Sequence, residues 1–249
     1  MNAATISRPR VLLFDIDGTL LRVGRAESGI FLRTLADAFG RRPEPAGLSF
    51  AGKTNGQITL EVMAAAGLDE AEVHRQLPSL PARYDADLEA GLDAASVHVL
   101  PGVTSLLPAL AERPSDFALG LLTGNWRGAA RIKLDRAGLG DFFAFGAFGD
   151  DGIDRRTLVP PALARASDHV GRRVQPEEAL IIGDSVRDVD CAHAHGLPCL
   201  AVATGHTPAD DLRAAGAELV VDDLIHAARV LPWLGAVWDP EAAADPARV

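Results

Sequence analysis

What the sequence lacks excludes several classes of protein. Two cysteines, Cys191 and Cys199, are too few for the disulfide framework of a small secreted protein, and we expect both to be buried apolar residues. Acidic side chains outnumber basic ones by 34 to 24, and the formal charge of -10 does not attract nucleic acid or an anionic membrane. No apolar run approaches the length of a membrane span, and residues 1–10 have no hydrophobic centre like that of a secretory signal. We therefore expect a cytoplasmic protein.

Short apolar runs alternate with helix-like stretches along most of the chain. Hydrophobic residues make up 48% and charged residues 23%, which is typical of a globular protein and excludes a disordered one. The apolar runs predict buried parallel strands at residues 10–17, 117–123, 179–184, 198–204 and 218–222, with a weaker candidate at 142–148. Helical patterns at 127–137 and 158–170 lie between them. This order predicts an α/β fold with a doubly wound parallel sheet and right-handed crossovers.

The interval 22–99 breaks that alternation. It carries helical patterns at 28–39, 57–66 and 70–92, separated by prolines, and no apolar run as strong as the others. We predict a mainly helical domain of residues 22–99, inserted into a core formed by residues 10–21 and 100–232. The alternative is that these helices pack on the same sheet. Residues 1–9 and 239–249 are expected to be flexible termini.

Polar residues follow three of the predicted strands. They occupy segments 15–19 (D-I-D-G-T), 123–125 (T-G-N) and 183–188 (G-D-S-V-R-D). Because ligands bind at the carboxyl ends of strands in open parallel sheets, these segments are expected to meet. Four carboxylates, those of Asp15, Asp17, Asp184 and Asp188, would then repel one another unless a cation lay between them. An all-oxygen set of ligands indicates Mg²⁺.

These three motifs, in this order and separation, resemble the haloacid dehalogenase superfamily, and specifically its phosphoglycolate-phosphatase-like branch. The resemblance covers roughly residues 11–222. It implies a Rossmann-like core with a helical cap inserted directly after the first motif, where the helical interval 22–99 lies. It also implies a phosphatase that acts on a small phosphorylated metabolite, and the acidic charge already argues against nucleic acid or a membrane as a partner.

The resemblance implies a role for each acidic residue. Asp15 is the nucleophile, which attacks phosphorus and forms an aspartyl-phosphate. Asp17 protonates the leaving alkoxide and then deprotonates the water that releases phosphate. Mg²⁺ is held by the carboxylates of Asp15 and Asp184 and by the main-chain carbonyl of Asp17, while Asp188 orients a metal-bound water.

The phosphoryl group also needs hydrogen-bond donors and a fixed positive charge. The resemblance assigns the donors to the Thr123 hydroxyl and the amides of Gly124 and Asn125. Relatives usually carry a lysine between the second and last motifs, but no lysine follows Lys133 in this sequence. Arg155 and Arg156 are the available cations, and spacing does not choose between them. The alternative is a pair of arginines that faces solvent.

Residues 47–54 spell G-x-x-x-x-G-K-T, the pattern of a nucleotide-binding loop. Such a loop follows a buried strand, whereas residues 41–45 read R-R-P-E-P, so the context does not fit. The phosphoglycolate-phosphatase-like branch instead places a glycine-basic-threonine-polar loop in the cap. Lys53, Thr54 and Asn55 are thus candidates for contact with the substrate beyond its phosphate. Thr54 or Asn55 could equally cap a helix, and the two roles are compatible.

The sequence therefore predicts a Mg²⁺-dependent phosphatase that hydrolyses a small phosphomonoester, phosphoglycolate-like or a sugar phosphate. Asp17 argues against dehalogenase chemistry, which needs no acid at that position. A phosphomutase would use the same aspartate pair, and a non-catalytic phosphate-binding protein would keep the fold without turnover. Both alternatives stay open, because substrate choice belongs to the cap, whose docking no pattern determines. Oligomeric state is likewise undetermined.

Overall fold

The computed structural model describes residues 10–225 and contains a six-stranded parallel sheet. The strands of this range are, in chain order, β1 (Arg10–Phe14), β2 (Leu21–Val23), β3 (Val97–Val99), β4 (Phe117–Leu122), β5 (Phe145–Ala147), β6 (Ala179–Gly183), β7 (Cys199–Val202) and β8 (Leu219–Val221). The sheet order is β5-β4-β1-β6-β7-β8, and β2 pairs with β3 in a separate antiparallel ribbon. The predicted doubly wound α/β fold is confirmed, and the weak candidate at 142–148 forms the edge strand β5.

The α-helices of the described range connect these strands. They are α1 (Arg25–Phe39), α2 (Asn55–Ala65), α3 (Glu70–Gln76), α4 (Leu80–Gly91), α5 (Val103–Ala111), α6 (Arg127–Ala137), α7 (Val159–Val170), α8 (Val186–His193) and α9 (Ala209–Ala214). None of the helices in residues 10–225 is long and apolar enough to cross a bilayer.

The central strand β1 is buried on both faces. Leu12 and Phe14 contribute to one hydrophobic cluster, and Val11 and Leu13 contribute to another. Alternate side chains of a strand point to opposite faces, so the continuous apolar run of β1 fills two cores at once. Cys191 and Cys199 belong to the second cluster, as free buried thiols. Burial raises the pKa of Cys191 to about 12, in agreement with the expected packing role.

The helices α1 to α4 form a third hydrophobic cluster of their own. This cluster includes Trp126, Ala129 and Ile132 at the start of α6, but no residue of the six-stranded sheet. The alternative in which these helices cover the sheet is thus wrong. We refer to the segment between β2 and β3 as the cap. The ribbon of β2 and β3 joins it to the core, and the predicted domain boundaries at residues 22 and 99 fall within this ribbon.

The cap and its ribbon differ from the sequence analysis in two details. The helical pattern at 70–92 is two helices, because a 3-10 turn at Leu77–Ser79 interrupts it, and Pro78 and Pro81 each lie in the first turn of a new segment. The ribbon strands β2 and β3 were not predicted, since three residues each give too short a pattern. The expected flexible termini, 1–9 and 239–249, and residues 226–232 of the predicted core lie outside the described residues.

Candidate active site

A cavity of about 230 Å³ lies between the carboxyl ends of the central strands and the cap. The core contributes Asp15, Asp17, Thr123, Gly124, Asn125, Arg155 and Asp184 to its walls. The cap contributes Glu27, Phe31, Lys53, Asn55, Ile58 and Tyr84. The three motif segments are therefore brought together at one edge of the sheet, and the cap faces them.

The turn after β1 brings Asp15 to this edge. The main-chain N–H of Asp15 donates to the carbonyl oxygen of Ile182 (2.9 Å), which extends the parallel pairing of β1 and β6 by one residue. Gly18 then adopts a φ of 89°, a left-handed conformation that glycine tolerates without steric cost. A Cβ at Gly18 would lie 2.4 Å from Asp184 Oδ2, so this glycine also leaves room for the Asp184 carboxylate.

Three buried carboxylates meet beside this turn. One oxygen from each of Asp15, Asp184 and Asp188 lies within 4.8 Å of the other two. Burial and repulsion from neighbouring carboxylates raise the pKa of Asp15 to about 6 and that of Asp184 to about 8, although Arg155 opposes the rise for both. A group of carboxylates with too few neighbouring cations suits a hard divalent cation such as Mg²⁺, which prefers oxygen ligands.

Asp188 is held in place by protein groups on both of its oxygens. Oδ2 accepts hydrogen bonds from the main-chain N–H (3.0 Å) and the hydroxyl (2.6 Å) of Ser185, as the third residue of a capping box at the start of α8. Oδ1 accepts a hydrogen bond from the Arg155 guanidinium. The orientation of Asp188 is thus fixed by the helix and by Arg155.

The structure decides which of the two candidate arginines faces the carboxylates. Arg155 is only 4% exposed, and its Nη2 lies 3.2 Å from Asp15 Oδ1 and in contact with Asp188 Oδ1. Nη2 also donates to Leu122 O (3.1 Å). The side chain of Arg156 is exposed and pairs with Asp154, so the structure does not place Arg156 in the cavity wall. Its prediction as a catalytic cation is corrected here: the chain turns at Arg155, and the next side chain points outward.

Asp17 has different surroundings from Asp15. Its carboxylate lies outside the three-carboxylate cluster and is 41% exposed. Lys133 Nζ lies 3.0 Å from Oδ1 and 2.8 Å from Oδ2, and Asn125 Nδ2 donates to Oδ2 (2.7 Å). The two aspartates of the first motif therefore contact different cations.

The segment after β4 places a hydroxyl group at the cavity. Thr123 is fully buried, and its Oγ1 accepts hydrogen bonds from the Asn125 main chain (3.3 Å) and side chain (2.9 Å). Helix α6 begins at Arg127, two residues after Asn125. A Cβ at Gly124 would lie 2.1 Å from Lys53 O, so only glycine allows the cap to approach this closely. Asn55 N–H donates to Gly124 O (2.8 Å) at the same contact.

Comparisons with known proteins identify the family of this chain. The model of the haloacid dehalogenase-like hydrolase family matches residues 12–202. The chain belongs to this family. The phosphoglycolate phosphatase of Rhodospirillum rubrum is 32% identical to this hydrolase and the alignment covers 91% of each chain. The phosphoglycolate phosphatase of Pseudomonas putida is 30% identical over 87% of this chain and 77% of its own. The predicted family is confirmed, as is a hydrolase of the phosphatase class.

Solved structures of lower identity share the fold of this hydrolase. A haloacid dehalogenase-like hydrolase from Streptococcus pneumoniae is 20% identical, with a TM-score of 0.61 over 90% of this chain and 98% of its own. CbbY from Rhodobacter sphaeroides, solved in complex with phosphate, is 22% identical, with a TM-score of 0.62 over 88% of this chain and 96% of its own.

The cap loop of this hydrolase makes more contacts with protein groups than the sequence predicts. Thr54 is the N-cap of α2, where its Oγ1 accepts from Gln57 N–H (3.0 Å), and the structure does not place it in the cavity wall. The structure thus shows the capping role that the sequence allowed, with Thr54 behind the cavity wall. Asn55 lines the cavity, but its Oδ1 accepts a hydrogen bond from Trp126 N–H (2.8 Å). Lys53 lines the cavity and pairs with a glutamate of α2.

The same loop is not a nucleotide-binding loop. Residues 41–54 contain no strand, so no buried strand leads into the G-x-x-x-x-G-K-T segment. Its second glycine serves close packing instead, because a Cβ at Gly52 would lie 2.3 Å from Ser185 Oγ on the core. The rejection of that motif on sequence context agrees with the structure.

A connected group of three polar residues beside Asp17 was not predicted. Lys133 is buried at 1% exposure and contacts both Asp17 and Glu27, and the Tyr84 hydroxyl donates to Glu27 Oε1 (3.1 Å). Burial and the neighbouring Glu27 raise the pKa of Tyr84 well above 10.0, so the hydroxyl keeps its proton. A signal for Lys133 was available: it lies three and four residues after Ala130 and Ala129, on the buried stripe of α6.

Proposed function

We propose that this hydrolase is a Mg²⁺-dependent phosphatase that cleaves small phosphomonoesters through an aspartyl-phosphate on Asp15. The observation that carries the proposal is the buried group of Asp15, Asp184 and Asp188 with Arg155 beside it, at the strand edge that faces the cap. Phosphoryl transfer needs a positioned nucleophile and concentrated positive charge, and little else from the protein.

In the proposed reaction, an Asp15 oxygen attacks phosphorus as the bond to the leaving alkoxide breaks. Arg155 contacts Asp15 and keeps that carboxylate oriented. Asp17 donates its proton to the alkoxide oxygen, so that an alcohol leaves. Water then attacks the phosphorus of the aspartyl-phosphate, Asp17 takes its proton, and inorganic phosphate and free Asp15 are formed. The Thr123 hydroxyl and nearby amides would hold the phosphoryl oxygens in both steps.

The residues at the sheet edge suit a magnesium ion. We assign its ligands to the carboxylates of Asp15 and Asp184 and the main-chain carbonyl of Asp17, with Asp188 orienting a water. When bound there, Mg²⁺ would neutralise charge on the phosphoryl oxygens. The raised pKa values of Asp15 and Asp184 support this assignment, since both carboxylates lack sufficient positive charge without it.

The cavity and the relatives together suggest the substrate class. A volume of about 230 Å³ suits a small ester. Relatives at 30% to 32% identity are phosphoglycolate phosphatases. We propose phosphoglycolate or a sugar phosphate, with Lys53 and Asn55 contacting the part beyond the phosphate. A cytoplasmic location fits this substrate class and the two free cysteines.

Phosphate release from a panel of phosphorylated metabolites, with Mg²⁺ and with a chelator, tests the proposal. We expect turnover with Mg²⁺, loss of turnover with chelator, and no turnover in Asp15→Asn that is folded by circular dichroism. A phosphomutase would instead convert a sugar phosphate to its isomer without releasing phosphate. Phosphate binding without turnover of any ester, or normal turnover by Asp15→Asn, would overturn the proposal.

A further inference from the structure

The Lys133 ammonium group lies between the core and the cap. It contacts Glu27 of α1, both oxygens of Asp17, and Asn125 Oδ1 (2.8 Å). An ammonium group has three N–H donors, and the three neighbouring residues match that number. Its two carboxylate neighbours raise the pKa of Lys133 above its usual 10.5 in spite of burial, so the group is charged.

The hydrogen bonds of this group determine how the Asp17 carboxylate is oriented. Oδ1 is held by Lys133, and Oδ2 is held by both Lys133 and Asn125. The same carboxylate remains 41% exposed, on the side of the cavity. A carboxylate that is already oriented loses no rotational freedom when it transfers a proton, so the entropic part of the barrier is lower.

On its other side, the Lys133 ammonium group contacts the cap. Glu27 lies in the first turn of α1, and the Tyr84 hydroxyl of α4 donates to it (3.1 Å). Helix α6, which carries Lys133, packs against the cap through Ala129 and Ile132. A displaced cap would therefore remove Glu27 from Lys133 and leave the ammonium with the Asp17 side alone.

Arg155 does not replace Lys133 at Asp17. Its Nη2 group contacts Asp15, Asp188 and a main-chain carbonyl, and its Nη1 donates to Gly52 O (3.3 Å). Among residues 10–225, the cationic side chain that forms an ion pair with Asp17 is that of Lys133. Lys133 and Arg155 thus contact different aspartates of the first motif.

We propose that Lys133 is a positioning residue that holds the Asp17 carboxylate for proton transfer, and that Glu27 completes this arrangement only when the cap is seated. This inference rests on the proposed phosphatase reaction. It makes proton transfer, rather than nucleophilic attack, the part of the reaction that depends on the cap contact at Lys133.

Esters that differ in the need for a proton test the inference. An alkyl phosphate such as phosphoglycolate needs its leaving oxygen protonated, whereas p-nitrophenyl phosphate releases a stable phenolate. We expect Lys133→Met to lower kcat for the alkyl ester about 100-fold with little change in KM, the size expected for a misplaced catalytic group. With p-nitrophenyl phosphate it should give a burst of nitrophenol close to one equivalent and then slow turnover, because water attack still needs Asp17. Asp17→Asn should show the same pattern.

A double variant separates positioning from cap docking. Lys133→Met leaves Glu27 facing Asp17 without a counter-ion, which could displace the cap. Adding Glu27→Gln removes that charge. If Lys133 positions Asp17, the double variant Lys133→Met/Glu27→Gln should keep the low kcat for the alkyl ester. If Lys133 only holds the cap in place, kcat should recover. Arg136→Met is the control, since Arg136 also joins α6 to the cap, through Glu89 and Leu92 O, without touching Asp17. Arg136→Met should change kcat for the two esters by the same factor and give no nitrophenol burst.

A second measurement does not depend on turnover. The sequence contains two lysines, Lys53 and Lys133, so NMR of the full chain with isotope-labelled lysine gives two side-chain signals, which Lys53→Arg assigns. Asp17→Asn and Glu27→Gln should each shift the Lys133 signal and leave the Lys53 signal in place. If wild type releases no phosphate but these shifts occur, the phosphatase proposal fails and the arrangement around Lys133 stands. An unmoved Lys133 signal, absence of the nitrophenol burst in Lys133→Met, or recovery in the double variant would overturn the inference.

Discussion

Replacing Arg155 tests the electrostatics of the carboxylate group most directly. Arg155→Met removes a guanidinium group that is almost fully buried and contacts the carboxylates of Asp15 and Asp188. It also removes the donors to the main-chain carbonyls of Leu122 and Gly52. Methionine fills much of the same space, so the loss is one of charge and hydrogen bonds rather than of volume.

The expected loss of stability is large. Removing one partner of a buried ion pair typically lowers the free energy of unfolding by about 3–5 kcal/mol, because the remaining charge stays buried without a counter-ion. Here two carboxylates lose their counter-ion, so we expect the upper part of that range. For a chain of this size each kcal/mol lowers Tm by roughly 2–4 °C. Arg155→Met should therefore unfold roughly 10–20 °C below wild type in the absence of Mg²⁺.

Urea and thermal unfolding of wild type, Arg155→Met and Arg155→Met/Asp188→Asn measure this loss. The double variant should recover part of the stability, since the amide that replaces the Asp188 carboxylate carries no charge and its oxygen can still accept from Ser185. Arg156→Met is the matched control, because Arg156 is exposed and pairs with Asp154, and we expect wild-type behaviour from it. A loss below about 1 kcal/mol in Arg155→Met would refute the reasoning, since it would mean that Asp15 and Asp188 do not depend on Arg155.

Three further predictions concern carboxylates of the core. A Cβ at Gly205 would lie 1.7 Å from Asp184 Oδ2, so Gly205→Ala should displace that carboxylate and weaken Mg²⁺ binding by calorimetry while the fold persists. The pKa values of Asp15 (about 6) and Asp184 (about 8) are raised, so the folded state holds protons that the unfolded state releases near pH 3.8. The free energy of unfolding without Mg²⁺ should therefore fall as pH rises from 4 to 8. Thermal unfolding should also show that Mg²⁺ raises Tm more at pH 8 than at pH 5. Hydrogen bonds from Arg165 lower the pKa of Asp151, so this pair stabilises the fold above pH 3.8, and the destabilisation by Asp151→Asn should disappear in unfolding experiments as pH falls below that value.

The parts of the site that the sequence predicted are those set by local order along a buried strand. Asp15, Thr123 and Asp184 each follow an apolar run directly, and parallel strands must bring their carboxyl ends to one edge. No knowledge of side-chain packing is needed for that step. The inserted helices were less certain from sequence, because a long interval without a strong strand run also allows helices that pack on the sheet, and the separate hydrophobic cluster decides between the two.

The parts that could not be predicted depend on how the cap docks and where single side chains point. Arg155 and Arg156 are adjacent and identical in type, and only the course of the 3-10 turn at Arg155–Leu158 directs the first of them inward. Lys133 and Asp17 lie 116 positions apart, and no local pattern joins them. The contact of Glu27 with Lys133 exists only once the cap is packed on α6, which is a property of the assembled fold.

In the proposed reaction, the separate cations would let two aspartates two residues apart take different roles. Asp15 is buried, lies in a cluster with two other carboxylates and is held by Arg155, surroundings that suit a carboxylate fixed against a metal ion and a phosphorus atom. Asp17 is partly exposed to the cavity and is held by Lys133 and Asn125, surroundings that suit the proton transfers proposed for it. Catalytic sites commonly assign roles to paired carboxylates by giving them unlike environments. In this hydrolase the unlike environments come from two elements, the turn before α7 and the helix α6, and only the second joins its aspartate to an acidic side chain of the cap.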